Sequence, residues 1–294
     1  MWKTKKIIWY SIYFIFVTLF FLFATFPSKS VQAYIQSQAE ERIPKSDLSI
    51  KKVSLSLPFG LKLYQARLTP KQDKKGLRLT FDSVTIQPAF WSMIKGERGY
   101  HFKGQIYGGD VEGFIAFIKN KSAPPYSVNM ILHRIDFKIN QLMPGMVDRD
   151  LEGILDGTVQ YMAKNNNLYD GTGEANLTFS KGKTDVKLAF LDQDAVRFDQ
   201  LVIRCELKNR RLTLGQMELN GPGLNALISG NINLNREFFM SRLNLKGEIE
   251  PLPELFQKLS NNPSTVEFLK KSLKSGKLTF AVSGTIDEPR MRII

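Results

Sequence analysis

Chemistry in this 294-residue chain would have to come from very few side chains, because it holds two histidines, His101 and His133, and one cysteine, Cys205. Neither histidine stands in an H-E-x-x-H arrangement, there is no cysteine pair for zinc, and no G-x-S-x-G elbow or phosphate-cradling loop occurs. Asp110, Asp156 and Asp170 each adjoin a glycine, where a short carboxylate serves a turn better than it serves acid–base catalysis. Gly171-Thr172-Gly173 reads as a turn, and the sequon Asn176-Leu177-Thr178 falls inside a strand pattern. Cys205 shares a side with Leu201, Ile203 and Leu207, which is the place of a core thiol rather than a reactive one. The expectation is a protein that is not an enzyme, with no catalytic residue, no cofactor and no metal site.

The informative residues are instead glycines. In "YHFKGQIYGGDVEGFIAF", Tyr100 to Phe117, two alternating runs flank Gly108-Gly109, the signal for a two-residue hairpin turn. That turn pairs Ile106 with Val111, Gly104 with Gly113 and Phe102 with Ile115, and collects the apolar side chains on one face. His101, Lys103, Gln105 and Glu112 fall on the other.

The unit apolar-x-Gly-x-apolar recurs, centred on Gly104, Gly113, Gly153, Gly230, Gly247 and Gly284, so it forms a degenerate repeat. Two readings fit it. The glycines either let a sheet curve strongly, or make room for bulky neighbours such as Phe102 or Phe280. The first predicts a curved apolar face that could serve as a groove, made of Phe102, Gly104, Ile106, Val111, Gly113, Ile115, Gly153, Ile228, Gly230, Ile232, Gly247, Val282, Gly284 and Ile286.

The elements that must carry such a face are strands. "VSLSL" (Val53 to Leu57), "LRLTF" (Leu77 to Phe81), "YSVNMIL" (Tyr126 to Leu132), "DVKLAFL" (Asp185 to Leu191) and "RLTLGQMEL" (Arg211 to Leu219) alternate with period two. Turn signals separate them at Pro124-Pro125, Asp156-Gly157, Asn165 to Asn167, Asp170-Gly171 and Pro222-Gly223. Helical patterns are few: Pro88 to Lys95, a turn near Gln141 to Val147, and Leu252 to Leu273, broken at Pro263. In the last, Leu252, Leu255, Phe256 and Leu259 make one buried face, either a lid on the sheet or a surface for a membrane or partner.

Ahead of the strands, Ile7 to Phe26 is 20 residues without a charge, long enough as a helix for a hydrocarbon layer of about 30 Å. Ile7, Trp9, Phe14, Phe20 and Phe26 are its anchor residues. A cleaved signal peptide is the competing reading, with Val31-Gln32-Ala33 as its small-residue site, but the apolar run exceeds the usual length of such segments. Lys3, Lys5 and Lys6 precede the span, so residues 1–6 are expected in the cytoplasm, 7–26 in the inner membrane, 27–47 in a juxtamembrane helix and 48–294 in a periplasmic β-rich domain. In that helix Val31, Tyr34, Ile35 and Gln38 share one face, and Pro44 ends it.

The formal charge is +13, yet Lys and Arg are spread over nearly every segment without a nucleic-acid motif, so anionic phospholipid headgroups or acidic proteins are the expected partners and nucleic acid is not.

A short stub, one span and a strand-rich exported domain ending in "LTFAVSGTIDEPRMRI" resemble the type II secretion system protein N family (GspN), within the AsmA-like group; "GQIYGGDVEG" is the second family-like piece. The resemblance implies a mainly β fold, one transmembrane helix followed by a long, curved, mostly antiparallel sheet with few short helices. It also implies a structural or assembly role in a secretion apparatus, beside other subunits. The apolar glycine-rich face implies the alternative, a protein that binds or transfers lipid. Fewer than 300 residues cannot alone bridge two membranes.

Overall fold

The computed structural model describes residues 2–42, 46–57, 59–71, 77–90, 92, 98–117, 126–143, 150–164, 168–184, 196–259 and 263–294. The chain is mainly β, and its strands form one antiparallel sheet. Strands β1 (Ser46–Ser49) and β2 (Lys52–Ser56) lie end to end along β3 (Gly60–Pro70). After them come β4 (Leu79–Pro88), β5 (Arg98–Ile106), β6 (Gly109–Phe117), β7 (Tyr126–Lys138) and β8 (Leu151–Met162). The series continues with β9 (Thr172–Thr184), β10 (Val196–Lys208), β11 (Arg211–Asn220), β12 (Leu224–Asn233), β13 (Arg242–Pro251), β14 (Leu278–Thr285) and β15 (Pro289–Ile293). From β3 onward every strand pairs with its neighbours in sequence, so the sheet is one long meander.

A meander places its connections alternately at two rims. The β2–β3, β4–β5, β6–β7, β8–β9, β10–β11, β12–β13 and β14–β15 connections share one, called the near rim. The far rim carries the others, including helices α3 (Ile139–Leu142), α4 (Pro253–Lys258) and α5 (Pro263–Ser272). Proline opens both α4 and α5, where its missing N–H costs nothing; the break expected at Pro263 is the start of α5.

Two helices precede the sheet, α1 (Trp2–Ala24) and α2 (Ser28–Arg42). Among the described residues no single helix is long and apolar enough to cross a membrane; Trp9–Ala24 and Ser28–Glu41, bent by 65°, pass that test only together. Helix α2 closes one edge of the sheet. Gln32 and Gln36 donate side-chain hydrogen bonds to the Ile50 and Leu48 carbonyls at 2.7 and 3.1 Å, and the Ser28 hydroxyl donates to the Val53 carbonyl. Four helical residues rise about 6 Å, close to two strand residues, so a side chain on every turn meets successive outward carbonyls. An edge that would otherwise recruit another strand is satisfied. Val31 and Ile35 add apolar contact to a small core of Ile50, Val53, Leu63 and Ala66. Tyr34, expected on that face, is exposed, and Phe26 lies beyond the end of α1 and packs on this core.

Other expectations need correction or lie outside the described residues. The β5–β6 turn is Tyr107-Gly108, not Gly108-Gly109: Tyr107 and Gly108 have φ of 46° and 74°, and Ile106 pairs with Gly109. The register therefore moves by two residues, which keeps every side chain on its predicted face but gives each a new partner. Gly104 faces Val111 and Gly113 faces Phe102, not each other. Asp156-Gly157 is interior to β8 rather than a turn. "DVKLAFL", Pro44, Pro124-Pro125 and Asn165 to Asn167 lie outside the described residues, as does most of the helix expected over Pro88 to Lys95, whose Pro88 ends β4.

Candidate functional site, the apolar face of the sheet

The register assembles a continuous apolar surface. One cross-strand row runs Leu55, Leu61, Ile86, Phe102, Gly113, Met130, Val159, Ala175, Cys205, Leu214, Gly230, Leu245, Val282, Met291. The next runs Val53, Leu63, Val84, Gly104, Val111, Leu132, Gly157, Leu177, Ile203, Met217, Ile228, Gly247, Phe280, Ile293. No polar side chain interrupts either row from β2 to β15. Eight of the residues predicted to share a face stand in them: Phe102, Gly113, Gly230, Val282, Gly104, Val111, Ile228 and Gly247. Ile106 and Gly153 lie on the same face toward the far rim, and Ile115, Ile232 and Gly284 toward the near rim. Ile286 sits in the β14–β15 turn, its N–H bonded to the Ser241 carbonyl.

The glycines of the repeated unit do different jobs. A Cβ on Gly113 would stand 2.2 Å from the Asn129 carbonyl oxygen and 2.7 Å from the Phe102 ring, and one on Gly247 would stand 2.5 Å from the Phe280 ring. Phe198 covers Gly182, outside the repeat, in the same way. Here an aromatic ring lies over the bare backbone of the neighbouring strand and shields its hydrogen bonds. Gly104 is looser, with Val84 and Val111 methyls 3.3 Å from such a Cβ. Gly230 and Gly284 have φ of 139° and 92°, which side-chain-bearing residues avoid. Making room for a bulky neighbour therefore accounts for Gly247, close approach of the Asn129 carbonyl together with the Phe102 ring for Gly113, and backbone conformation for Gly230 and Gly284.

Burial across the face is uneven. Toward the far rim, Ile106, Val111, Leu155, Phe179, Leu201, Leu219 and Ile249 join one core with Leu255 and Leu259 of the α4 segment and Leu269 of α5. The Leu252 to Leu273 region is thus a lid on the sheet. Toward the near rim Ile115, Val128, Ile232 and Leu243 are only half-buried. An aromatic series crosses four strands there: Tyr100 to Phe117 at 6.2 Å, Phe117 to Tyr126 at 6.3 Å and Tyr126 to Tyr161 at 6.0 Å between ring centres. Sequence reasoning did not find this series; the signal was the placement of tyrosines at strand ends that face one another. Burial raises the pKa of Tyr126, and burial followed by the Tyr126 and Asp170 charges raises that of Tyr161. Cys205 stands in the first row; burial raises its thiol pKa and favours the protonated form, opposed by a hydrogen bond with the Ala175 backbone.

The opposite face is polar. Lys103 and Glu112 approach to 3.7 Å, Lys183 and Glu152 to 3.5 Å, and the His101 ring lies 4.9 Å from that of Phe114. His133 Nδ1 is 3.0 Å from Asp156 Oδ1, which also accepts the Arg134 N–H at the bulge between β7 and β8. A shallow depression of about 460 Å³ lies there, lined by Thr85, Gln87, His101, Lys103 and Asn129 among others. These are exposed pairs in water, without a nucleophile beside a base, and among the described residues no group of three or more His, Cys, Asp or Glu is placed to hold a metal ion.

Fold and face together define a class: an antiparallel meander of one sheet with one largely polar and one apolar face, the latter partly covered by helices. No protein family, curated protein or solved structure matches the chain.

Proposed function

We propose that the protein is a lipid-handling sheet, anchored in a bacterial inner membrane by residues 7–26, whose apolar face curves around acyl chains. The observation that carries this reading is the pair of uninterrupted apolar rows from β2 to β15, of which α2, α4 and α5 cover only parts. A sheet with one apolar face ordinarily buries it against a second layer. Here the near-rim half has none among the described residues, and the flexible, headgroup-free part of a lipid is a fitting cover.

The anchor is supported by the uncharged run and by the exposure of Trp9, Phe14 and Phe20, at 73, 71 and 61%, on a helix with no extensive contact to the sheet. Such a helix is costly in water and stable in hydrocarbon. Lys3, Lys5 and Lys6 favour a cytoplasmic N-terminus and a periplasmic sheet.

A second reading, an assembly subunit of a type II secretion apparatus, is supported by the residues that resemble that family: "LTFAVSGTIDEPRMRI" forms the β14–β15 hairpin at the sheet edge that α2 does not close. Photocrosslinking in intact cells separates the two. A benzophenone amino acid replacing Ile115 or Ile232 is expected to capture phospholipid, and the same probe at Lys103 on the polar face is not. Capture of protein alone at 115 and 232 would leave the secretion reading; capture of nothing at either position ends the lipid reading.

A further inference from the structure

The meander puts an unusual set of side chains on one rim. At the near rim Leu57 and Phe59 of the β2–β3 turn, Phe90 after β4, Leu168 between β8 and β9, and Phe238 and Met240 between β12 and β13 are 41 to 66% exposed. They come from four separate connections, so only the fold brings them to one edge. Phe59 adopts φ of 59°, a conformation that a bulky residue avoids, and its ring packs edge-on to Phe90 at 5.7 Å. The turn keeps an exposed phenylalanine where a glycine would sit without strain, and stored strain of this kind marks functional positions. Between these apolar tips stand exposed Lys164, Lys208, Arg211, Arg236 and Arg242, against Glu237, Asp287 and Glu288. The helix expected in the membrane joins α2 at its near-rim end, because Ser28, four residues after Ala24, bonds the Val53 carbonyl in β2, while Gln32 and Gln36 bond Ile50 and Leu48 farther from that rim.

We infer that the near rim docks on the surface of the bilayer that holds α1, with its apolar tips in the headgroup layer and its basic residues on anionic phospholipid. Apolar and aromatic tips interleaved with Lys and Arg are the composition of an interfacial contact. The orientation sets the strands upright on the membrane, brings the row Tyr100, Phe117, Tyr126 and Tyr161 to the headgroup level where tyrosine is favoured, and opens the half-buried part of the face toward the lipid. The far rim, sealed by α4 and α5, then points away.

This rests on the anchoring proposed above, and the test keeps the two apart. The full chain carrying Cys205→Ser and one new cysteine, Phe59→Cys, Leu168→Cys or Phe238→Cys, is labelled with an environment-sensitive fluorophore. It is then placed in vesicles of phosphatidylethanolamine and phosphatidylglycerol with nitroxide-bearing acyl chains. Phe14→Cys in α1 reports the anchor and Leu77→Cys, exposed at the far rim, reports orientation. Quenching at 14, 59, 168 and 238 but not at 77 is the expected result. Quenching at 14 alone overturns the docking and leaves the anchor standing; quenching at 77 as strong as at the near rim overturns the orientation; and no quenching at 14 overturns the anchor on which the docking rests.

Discussion

The two ends of the apolar face are built from the same kinds of residue and finish differently. At the far rim, α4 and α5 lay Leu255, Leu259 and Leu269 over Leu278 and Phe280, and exposure falls to between 0 and 5%. At the near rim the same strands present Ile115, Ile232 and Leu243 half-buried, with no helix packed on them among the described residues. Strand alternation decides which side chains share a face, but a second layer decides whether they are a core or a surface. Among the described residues that layer is present at the far rim.

The largest test of this difference truncates one leucine or isoleucine at each end. Leu269→Ala at the sealed rim should cost about 2–5 kcal/mol, because a fully enclosed side chain leaves a cavity. Ile232→Ala at the open rim should cost about 1 kcal/mol, since less apolar area returns to water. Equilibrium unfolding in detergent measures both. Equal costs would mean that something within the chain covers the near rim as fully as α4 and α5 cover the far one.

A smaller effect separates glycines that the sequence makes look alike. Gly247→Ala should lose about 1–3 kcal/mol through the 2.5 Å approach to the Phe280 ring, whereas Gly104→Ala, with neighbours at 3.3 Å, should lose well under that. Combining Gly247→Ala with Phe280→Leu should recover part of the loss, a coupling that a double-mutant cycle reads. Additive losses would show that the ring is not what the added methyl meets. Gly108→Ala should cost about 1 kcal/mol for another reason, since nothing lies within 4 Å of its Cβ and only its φ of 74° resists.

These residues show how far the sequence could be read. Period-two alternation gave the strands and their faces, because it depends on each strand alone. Register depends on partners: a Tyr-Gly turn and a Gly-Gly turn are one residue apart in sequence, and choosing between them moved every pair across β5 and β6. Gly113 was visible as a glycine in a strand, but its reasons, the Asn129 carbonyl and the Phe102 ring, became visible only with the pairing of β6 to its two neighbours. Asp156-Gly157 carries turn composition, and the pairing of β8 with both β7 and β9 overrides it. The near rim was the least legible, because its residues come from connections far apart in sequence that only the completed meander aligns.

The finest comparison uses the tyrosines that line the open rim. Tyr126 titrates above the usual tyrosine range because burial disfavours its phenolate, and Tyr161 does so through burial first and then the Tyr126 and Asp170 charges. Both shifts favour the neutral form in the folded chain, so their contribution to stability is complete below the ordinary tyrosine pKa and fades as pH rises through the raised values. Tyr126→Phe should remove part of the tyrosinate absorbance titration that lies above the ordinary tyrosine range, and so weaken the alkaline loss of stability, while leaving the neutral-pH unfolding midpoint nearly unchanged. If lipid covers this rim, the wild-type titration in vesicles should move to still higher pH than in detergent-free buffer after lipid extraction, because the acyl chains withdraw water from the same rings. A Tyr126→Phe difference curve centred in the ordinary tyrosine range would show instead that the rim is as wet as the rest of the surface, and the contrast between the two ends of the face would then be one of packing alone.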